Sequence, residues 1–317
     1  MESVAAKAQF PDEQSDEGHF VRQGDAFQDW IRADGSSLYP AAAGRYHLYV
    51  SLACPWAHRT VIMRSLVGLE DAIGMTVVDP VRDDLGWRFA EGPGFSPDPV
   101  NGFAYLSEAY LKSDPQYRGR VTVPVLWDKE TKRIVSNSDD DILRMFETEF
   151  DAVGMRDLDY YPAAHAREID ELNEVIYDTV NNGVYKAGFA THQHAYERAA
   201  RGVFETLDVL EHRLTSSRYL FGHTPVETDW RLFVTLVRFD AVYHGHFKCN
   251  LRQIASYPNL FGYLRDLYQF RGVAATVNMD HIKRHYYYTH DDINPTRIVP
   301  IGPDQNFLAP HGRERLG

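Results

Sequence analysis

The sequence predicts two domains of different class, an α/β domain in the first half of the chain and an all-helical domain in the second. Up to about residue 155, short apolar runs follow one another in the order strand, helix, strand, strand, helix. After that point, apolar residues recur at helical spacing only. The 317 residues are enough for two modest hydrophobic cores. The predicted parts are an N-terminal arm over 1–40, an α/β domain over 41–155, an all-helical domain over 156–290 and an extended tail over 291–317.

The first elements of the α/β domain follow the arm directly. Residues 45–52 form an apolar run typical of a strand, and residues 57–68 carry a helical pattern. This helix is expected to end at Gly68, because glycine adopts the left-handed conformation of a helix C-terminus at little cost. A second strand is predicted over residues 75–79. Strand, helix and strand in this order indicate an α/β unit.

A long irregular segment separates this unit from the next elements. Residues 80–119 are rich in Gly, Pro, Asp and Tyr, and a connection of that length is usually functional or contains short helices. Residues 123–128 and 133–136 then predict a hairpin. Pro124 lies inside its first strand, which is tolerated only at an edge, at a bulge or with a cis bond. The short polar side chains of residues 137–141 predict the start of the next helix.

Four helices are predicted in the second half of the chain. The apolar residues have helical spacing over 168–182, 194–214, 229–246 and 260–270. The third of these is the most apolar and is expected at the centre of its domain. Several prolines follow, so the tail is expected to be extended and to pack over the domains or a partner subunit.

Charge and cysteine content exclude several classes of function. The net charge of −12 argues against sequence-independent nucleic-acid binding, which needs clustered Lys and Arg. Two cysteines, Cys54 and Cys249, cannot form a disulfide framework and fit a reducing compartment. The sequence shows no secretory signal pattern and no stretch long enough to span a membrane. We therefore expect a cytoplasmic enzyme or binding protein without a membrane or nucleic-acid partner.

Cys54 stands where the predicted strand runs into the predicted helix, in the motif Cys-Pro-Trp-Ala. The partial positive charge of a helix N-terminus favours a thiolate over a thiol, so this position suits a nucleophile. The motif is a Cys-X-X-Cys redox motif in which Ala57 replaces the second cysteine, so such a site needs a second thiol from outside. The alternative for an unpaired cysteine is an ordinary buried apolar residue. The local pattern leaves both roles open.

Two pairs of histidines superficially suggest a metal site. These are His192 with His194 and His244 with His246. No cysteine or carboxylate stands at ligand spacing beside them, so we interpret them as solvated or pocket histidines and expect no metal. Cys249 is expected to be a passive residue at a helix end.

Several runs, taken in order with the cysteine motif, resemble the glutathione transferase (GST) superfamily, and more closely its xi class, the glutathionyl-hydroquinone reductases. The resemblance covers nearly the whole chain and rests on residues 54–57, 86–89, 119–128, 181–190, 236–240, 246–249 and 294–296. The cysteine motif alone would be weak evidence, whereas these runs in this order are highly specific. The resemblance implies a thioredoxin-like N-terminal domain that holds a thiol cofactor and an all-α GST C-terminal domain that supplies the quinol pocket.

The resemblance also implies a mechanism. In such enzymes a thiolate attacks the sulfur of a glutathionyl-hydroquinone, the aromatic carbon leaves and takes a proton, and a second glutathione resolves the mixed disulfide. By position in the matching runs, Cys54 is the nucleophile, Tyr185 the proton donor, and Tyr243 and Tyr286 hydrogen-bond the thiolate. The ordinary alternative for any one tyrosine is a packed ring with its hydroxyl at the surface. Small-molecule quinol–thiol conjugates as substrates and a homodimer are further expectations of the resemblance.

The thiol-binding residues follow from the same resemblance. An extended segment before a cis proline offers N–H and C=O groups to the cysteinyl part of a peptide. Arg120 can meet a carboxylate, although a surface salt bridge is otherwise the usual role of such an arginine. The expected set, beside a cis Pro124, is Trp87, Arg120, Val121, Thr122, Val123, Ser138 and Asp139.

Ser138 and Asp139 depart from the family pattern, which usually has Glu and then Ser at these positions to hold a γ-glutamyl group. Here an acid takes the serine position, and Asp140 and Asp141 follow. Three consecutive carboxylates should repel an incoming carboxylate. Either the γ-glutamyl group is held in a shifted pose through its ammonium on Asp139, or the thiol is not glutathione but, for example, γ-glutamylcysteine or a sugar-based thiol. Alternatively, the acids only cap the helix.

A second departure lies at Val226, three residues before Asp229. The superfamily usually has a Ser or Thr helix cap at this position. The change bears on folding stability rather than on chemistry, by about 1 kcal/mol if nothing compensates for it.

Three functions remain open from the sequence. Reduction of thiol-conjugated hydroquinones through Cys54 is the one we favour. An omega-like thiol transferase, which removes glutathione from mixed disulfides or reduces dehydroascorbate, would share Cys54 but would not need the three tyrosines. A non-enzymatic binding protein that keeps the fold would need neither a reactive Cys54 nor the tyrosines.

Overall fold

In a computed structural model, the chain is described over residues 13–155 and 157–316 and divides into two units. The sheet unit comprises residues 24–159 and 271–285, and the helical unit comprises residues 13–23, 160–270 and 286–316. Each unit is therefore assembled from segments that are far apart in the sequence. This interleaving is not visible in the local sequence patterns.

The sheet unit is built around a four-stranded mixed sheet. In chain order the strands of this unit are β1 (Ile31–Arg32), β2 (Tyr39–Pro40), β3 (Tyr46–Val50), β4 (Gly74–Val77), β5 (Val125–Asp128) and β6 (Arg133–Ser136). The sheet has the order β4-β3-β5-β6, in which β3 is parallel to β4 and antiparallel to β5. The predicted hairpin is the antiparallel pair of β5 and β6, with a bulge between Leu126 and Trp127. All residues of β3 are buried, because it is an interior strand of the sheet.

Helices cover the sheet and make up most of the helical unit. Over the described residues they are α1 (Pro55–Leu66), α2 (Ser107–Ser113), α3 (Asp139–Thr148), α4 (Ala166–Ile176), α5 (Gly183–Gly188), α6 (Gln193–Arg213), α7 (Glu227–Arg238), α8 (Pro258–Gln269) and α9 (Met279–Arg284). The α/β and all-helical classes agree with the sequence prediction. Within the described residues, no helix is both long enough and apolar enough to cross a membrane.

The helix α1 starts two residues earlier than the sequence pattern suggests. Pro55 takes its first position, where the missing N–H of proline costs nothing. The helix ends at Leu66, and Gly68 follows in the left-handed region with φ 65°. Strand β3, helix α1 and strand β4 thus form the predicted parallel unit, with the start of α1 at one end of the sheet.

Three helical segments continue into π-helical turns. These turns are Tyr177–Asn181 after α4, Phe239–Tyr243 after α7 and His285–Thr289 after α9. A π turn holds one residue more than an α turn and is frequent at functional sites. The sequence predicted continuous helices over the first two segments, because a 3.6-residue period does not register a single extra residue.

The missing Ser or Thr cap at Val226 is in part compensated. Asp229 Oδ2 accepts a hydrogen bond from the Val226 N–H at 2.8 Å, and Oδ1 accepts from Leu220 N at 3.0 Å and from the Tyr263 hydroxyl at 2.7 Å. Burial raises the pKa of Asp229 to about 6, although the hydrogen bonds that its carboxylate accepts act in the opposite direction and lower this pKa. The start of α7 is therefore fixed by the third residue of the helix rather than by its cap.

The extended tail packs on the helical unit. The Arg313 guanidinium donates to the carbonyl oxygens of Leu214 at 2.9 Å and Arg218 at 3.0 Å. Gln269 of α8 donates to the carbonyl oxygens of Phe307 and Ala309, both at 2.8 Å. The tail thus forms side-chain to main-chain hydrogen bonds within its own unit.

Candidate active site

Cys54 immediately precedes α1 and occupies the N-terminus of this helix. Its backbone is extended, with φ −75° and ψ 123°, and its carbonyl oxygen accepts a hydrogen bond from His58 N at 3.0 Å. The half-buried thiol lies with Sγ 3.6 Å from the Val123 carbonyl oxygen. A helix N-terminus stabilises negative charge, so this place in the fold suits a thiolate.

The segment immediately before β5 approaches Cys54. Its Val123–Pro124 peptide bond is cis. The Thr122 N–H donates to the Tyr110 hydroxyl at 3.2 Å, and the Thr122 carbonyl oxygen accepts from the same hydroxyl at 2.9 Å. The Val123 N–H, in contrast, has no hydrogen-bond partner within the part of the chain that the structure describes. Val123 therefore has a backbone N–H that can pair with the peptide part of a thiol.

Trp87 and Arg120 lie in the sheet unit with Cys54. Trp87 is only 5% exposed and stacks on His285, with ring centroids 5.1 Å apart and an angle of 21° between the planes. The Arg82 guanidinium lies 5.7 Å from the Trp87 ring centroid. Arg120 is half-buried, and its carbonyl oxygen accepts a hydrogen bond from the Tyr117 hydroxyl at 2.6 Å. The contacts with His285 and Arg82 hold the Trp87 ring in a single orientation.

Ser138 and Asp139 mark the start of α3. Ser138 is buried and caps the helix, with Oγ accepting from Asp141 N at 3.2 Å. Asp139 forms an ion pair with Arg59 of α1, whose Nη1 donates to Asp139 Oδ2 at 2.8 Å and to Asp140 Oδ1 at 3.0 Å. The expectation of three repelling carboxylates therefore needs correction, because a guanidinium offsets part of their charge.

Arg59 is a site residue that sequence reasoning missed. It is 1% exposed, and its guanidinium lies 4.8 Å from the centroid of the Trp56 ring in the cysteine motif. Its partner Asp139 is 80 residues away in the sequence, so no local pattern reveals the pair. The available signal was the acidic run itself, because three adjacent carboxylates at the start of a helix call for positively charged partners, and one of these comes from a distant part of the sequence.

The structure brings the three predicted tyrosines together in the helical unit. Tyr286 is at the centre, since its hydroxyl bonds to the Tyr185 hydroxyl and, at 3.0 Å, to the Tyr243 hydroxyl. Tyr185 lies on α5, and the other two lie on the π-helical turns after α7 and α9. The Phe247 ring packs against all three tyrosine rings, with centroid distances of 5.3 to 5.6 Å. The arrangement is a network of phenolic donors in an aromatic surrounding.

The three hydroxyl groups differ in their environment. Burial raises the pKa values of Tyr243 and Tyr286 well above the ordinary tyrosine value, so both are protonated at neutral pH and can donate hydrogen bonds. Tyr185 is 8% exposed, whereas Tyr243 and Tyr286 are 0% and 1% exposed. Tyr185 is thus the most accessible member of a network whose other members hold their protons.

The predicted site residues divide between the two units. Cys54 and the seven predicted thiol-binding residues belong to the sheet unit, and the three tyrosines belong to the helical unit. The sheet unit offers a thiol at a helix N-terminus and a backbone N–H for a peptide. The helical unit offers three hydrogen-bonded phenols, of which Tyr185 is the most exposed.

The structure gives Cys249 and the histidine pairs different surroundings. Burial raises the pKa of the Cys249 thiol to about 12, so it remains protonated at neutral pH. His192 and His194 are exposed, whereas His246 is buried with its ring nitrogen 3.1 Å from His290. Over residues 13–155 and 157–316, no group of three or more His, Cys, Asp or Glu side chains is arranged to hold a metal ion.

Two protein families match this sequence. Residues 53–149 match the family described as "Glutathione S-transferase, N-terminal domain", and residues 193–266 match "Glutathione S-transferase, C-terminal domain". The first match contains Cys54, the segment before β5 and the start of α3. The second covers most of α6 through α8.

Characterised relatives match nearly the whole chain. The glutathionyl-hydroquinone reductase YqjG of Escherichia coli is 54% identical over 310 residues, which cover 96% of this chain and 94% of the relative. The glutathionyl-hydroquinone reductase PcpF of Sphingobium chlorophenolicum is 49% identical over 294 residues, with 93% of each chain covered.

Solved structures agree with these sequence matches. The glutathione-bound structure of the E. coli protein superposes with a TM-score of 0.89, covering 91% of this chain and 96% of that one at 54% identity. A xi-class glutathione transferase from Natrialba magadii superposes with a TM-score of 0.90 at 50% identity, covering 92% of this chain and 89% of that one.

Proposed function

Since this chain belongs to the glutathione S-transferase family, in its xi class of glutathionyl-hydroquinone reductases, we propose that it removes glutathione from S-conjugated hydroquinones through a mixed disulfide on Cys54. The products are the hydroquinone and glutathione disulfide. The observation that carries the proposal is the hydrogen-bonded network of Tyr185, Tyr243 and Tyr286. Exchange between disulfides alone does not require such a network.

The first half-reaction cleaves the carbon–sulfur bond. The Cys54 thiolate attacks the glutathionyl sulfur, a sulfur–sulfur bond forms, and the electron pair of the broken bond moves to the aromatic carbon. That carbon is a poor leaving group unless it receives a proton as the bond breaks. Tyr185 is the proton donor, because it is the most accessible of the three phenols, and Tyr286 stabilises the resulting phenolate by a hydrogen bond.

The second half-reaction restores the thiolate. A second glutathione attacks the mixed disulfide on Cys54 as its thiolate, releases glutathione disulfide and returns the cysteine to the reduced state. Ala57 stands where a resolving cysteine would be, so no internal disulfide competes with the external thiol. The backbone N–H of Val123 pairs with the cysteinyl carbonyl of the bound glutathione.

The ion pair of Asp139 and Arg59 supports glutathione as the thiol. Arg59 reduces the repulsion of a carboxylate at the start of α3, and it fixes the Asp139 carboxylate in place. Asp139 then receives the ammonium of the γ-glutamyl group as a charge-assisted hydrogen bond. γ-Glutamylcysteine carries the same group, so the choice between the two thiols rests on their remaining parts.

The deciding experiment measures turnover of glutathionyl-menadiol with glutathione and of a γ-glutamylcysteinyl analogue with its own thiol. Trapping the intermediate and determining its mass identifies the thiol on Cys54. Good turnover and a glutathione adduct are expected. Cys54→Ser should abolish turnover, and Cys249→Ser is the matched control that should retain it.

Other outcomes would replace the proposal. Turnover with the γ-glutamylcysteinyl pair alone would reassign the thiol. Reduction of mixed disulfides or dehydroascorbate without turnover of either conjugate would favour an omega-like thiol transferase. If no thiol forms an adduct on Cys54, the protein would instead be a non-enzymatic binding protein.

We also propose an assembly and a location for the protein. A homodimer is proposed, and sedimentation analysis at micromolar concentration distinguishes it from a monomer. A reducing compartment such as the cytoplasm suits the proposed reaction, because both half-reactions consume thiols in their reduced form.

A further inference from the structure

The N-terminal segment of residues 13–23 forms a closed loop on the helical unit. Backbone hydrogen bonds join its two arms, from Val21 N to Glu13 O at 2.7 Å and from Ser15 N to His19 O at 2.9 Å. Gly18 adopts φ 77° at the turn, and a Cβ at this position would lie 2.0 Å from His192 Nδ1. The positive φ and the close approach of His192 both favour glycine at this turn.

Several contacts fix this loop beside α5. Gln14 Nε2 donates to the Phe189 carbonyl oxygen at 3.1 Å, and Thr191 N donates to the Gly18 carbonyl oxygen at 3.2 Å. The rings of Phe20 and Phe189 have centroids 5.4 Å apart. The C-terminal end of this loop therefore carries a side chain that is held in a definite place.

That side chain is Arg22, and its guanidinium lies over Tyr185. The Arg22 Nε donates to Asn182 Oδ1 at 3.0 Å, and the guanidinium carbon is 4.9 Å from the Tyr185 ring centroid. A cation at this distance is attracted by the negative face of the ring. Four aromatic rings also lie near the Tyr185 ring, namely those of Phe189, Tyr243, Phe247 and Tyr286.

A positive charge over this ring favours the deprotonated form of Tyr185. A phenolate spreads its negative charge into the ring, so Coulombic attraction is added to the attraction that the neutral phenol already has. Arg22 is half-buried, which limits screening by solvent. Arg22 therefore stabilises Tyr185 most after Tyr185 has lost its proton.

We propose that Arg22 is a positioning residue for proton transfer from Tyr185, and that the N-terminal loop is thereby part of the catalytic apparatus. The inference rests on the proposed function, in which Tyr185 protonates the departing aromatic carbon. In that step the negative charge that enters as the Cys54 thiolate ends on the Tyr185 oxygen. Arg22 lies against the ring that carries this charge.

The test compares two activities of the same enzyme with glutathione, reduction of glutathionyl-menadiol and reduction of hydroxyethyl disulfide. Both use Cys54, but only the first transfers a proton to carbon. Arg22→Gln is expected to lower kcat for glutathionyl-menadiol about tenfold at unchanged KM, and to leave disulfide reduction within about twofold. Arg22→Lys keeps the charge and should recover part of the lost kcat.

Arg32 provides a matched control. Its guanidinium also lies over an aromatic ring, 5.2 Å from the Trp30 ring centroid, but in the sheet unit. Arg32→Gln should leave both activities unchanged. A second comparison uses Tyr185→Phe as the background, where Arg22→Gln should have no further effect because the group it acts through is gone.

The outcomes separate this inference from the proposed function. The role of Arg22 would be overturned if Arg22→Gln lowered both activities equally. It would also be overturned if Arg22→Gln lowered the turnover of glutathionyl-menadiol by the same factor in the parent and in the Tyr185→Phe background. An active parent enzyme with an unaffected Arg22→Gln variant would do the same and leave the proposed function intact. A parent enzyme that cannot turn over glutathionyl-menadiol would overturn both.

Discussion

Iodoacetamide should modify the native protein at Cys54 and leave Cys249 intact. The two thiols differ in their surroundings, because Cys54 is half-buried at the start of α1 and Cys249 is fully buried. The thiolate is the reactive form of cysteine, so the rate of modification follows the thiolate fraction. The Cys54→Ser variant isolates the contribution of Cys249.

The pKa of about 12 for Cys249 sets the size of the difference. At about pH 7.5 this thiol is ionised to a fraction of roughly 3 × 10⁻⁵, whereas a cysteine with the ordinary pKa of about 8.5 is ionised to roughly 0.1. The Cys249 thiolate is therefore about 3,000 times scarcer than that of an ordinary cysteine, before any steric protection. Cys54, at a helix N-terminus, should react at least as fast as an ordinary cysteine.

Intact-mass measurement over a time course gives the result directly. One modified site is expected in the parent protein, and essentially none in Cys54→Ser until the protein is unfolded in urea. Unfolding then exposes Cys249 and confirms that the reagent was active. Rapid modification of native Cys54→Ser would refute the burial argument, and an unreactive Cys54 would refute its assignment as the nucleophile.

Further predictions concern the thiol site, folding stability and the proton donor. Asp139→Ser should raise the KM for glutathione about tenfold, because it removes the partner of the γ-glutamyl ammonium. The control Asp140→Ser should change this KM less than about twofold. A lower KM in Asp139→Ser would mean that the Asp139 carboxylate repels the thiol. Burial lowers the pKa of His47 from 6.5 to about 4, so the stability that the neutral ring contributes is present above pH 6.5 and is lost as the pH falls towards 4. The loss is about 2 kcal/mol at about pH 5. The free energy of unfolding, measured with urea, should therefore fall more on acidification in the parent than in His47→Gln. Equal decreases in the two proteins would contradict this. Tyr185→Phe should slow turnover of glutathionyl-menadiol at least about 100-fold, measured against unchanged reduction of hydroxyethyl disulfide; an unaffected rate would assign the proton to another donor.

Local sequence patterns predicted the elements that carry Cys54. The strand and helix around it have strong local signals, an apolar run and a helical period that ends at Gly68. A proline inside a strand pattern limited Pro124 to a few conformations, of which the cis form is the one present. These features depend on residues close together in the sequence, which is why the sequence alone was sufficient.

The contacts that tune the site join distant residues and could not be predicted in the same way. Arg59 and Asp139 are 80 residues apart, and Arg22 and Asn182 are 160 residues apart. The charge at the start of α3 was therefore overestimated from the sequence, since its counter-ion comes from α1. The loop that carries Arg22 has no sustained period, because turns and backbone bridges rather than a buried helical face determine its shape.

The π-helical turns have a consequence for how the helical unit can change in evolution. In an α-helix each residue advances the direction of the side chain by about 100°, so one extra residue in a turn rotates everything after it by that amount. Tyr243 and Tyr286 both lie on such turns. Loss or gain of one residue there would point a different side chain at the same place while the preceding helix kept its packing. Single-residue insertions and deletions, rather than substitutions, are therefore the economical route by which descendants of this chain could exchange their phenols for other chemistry.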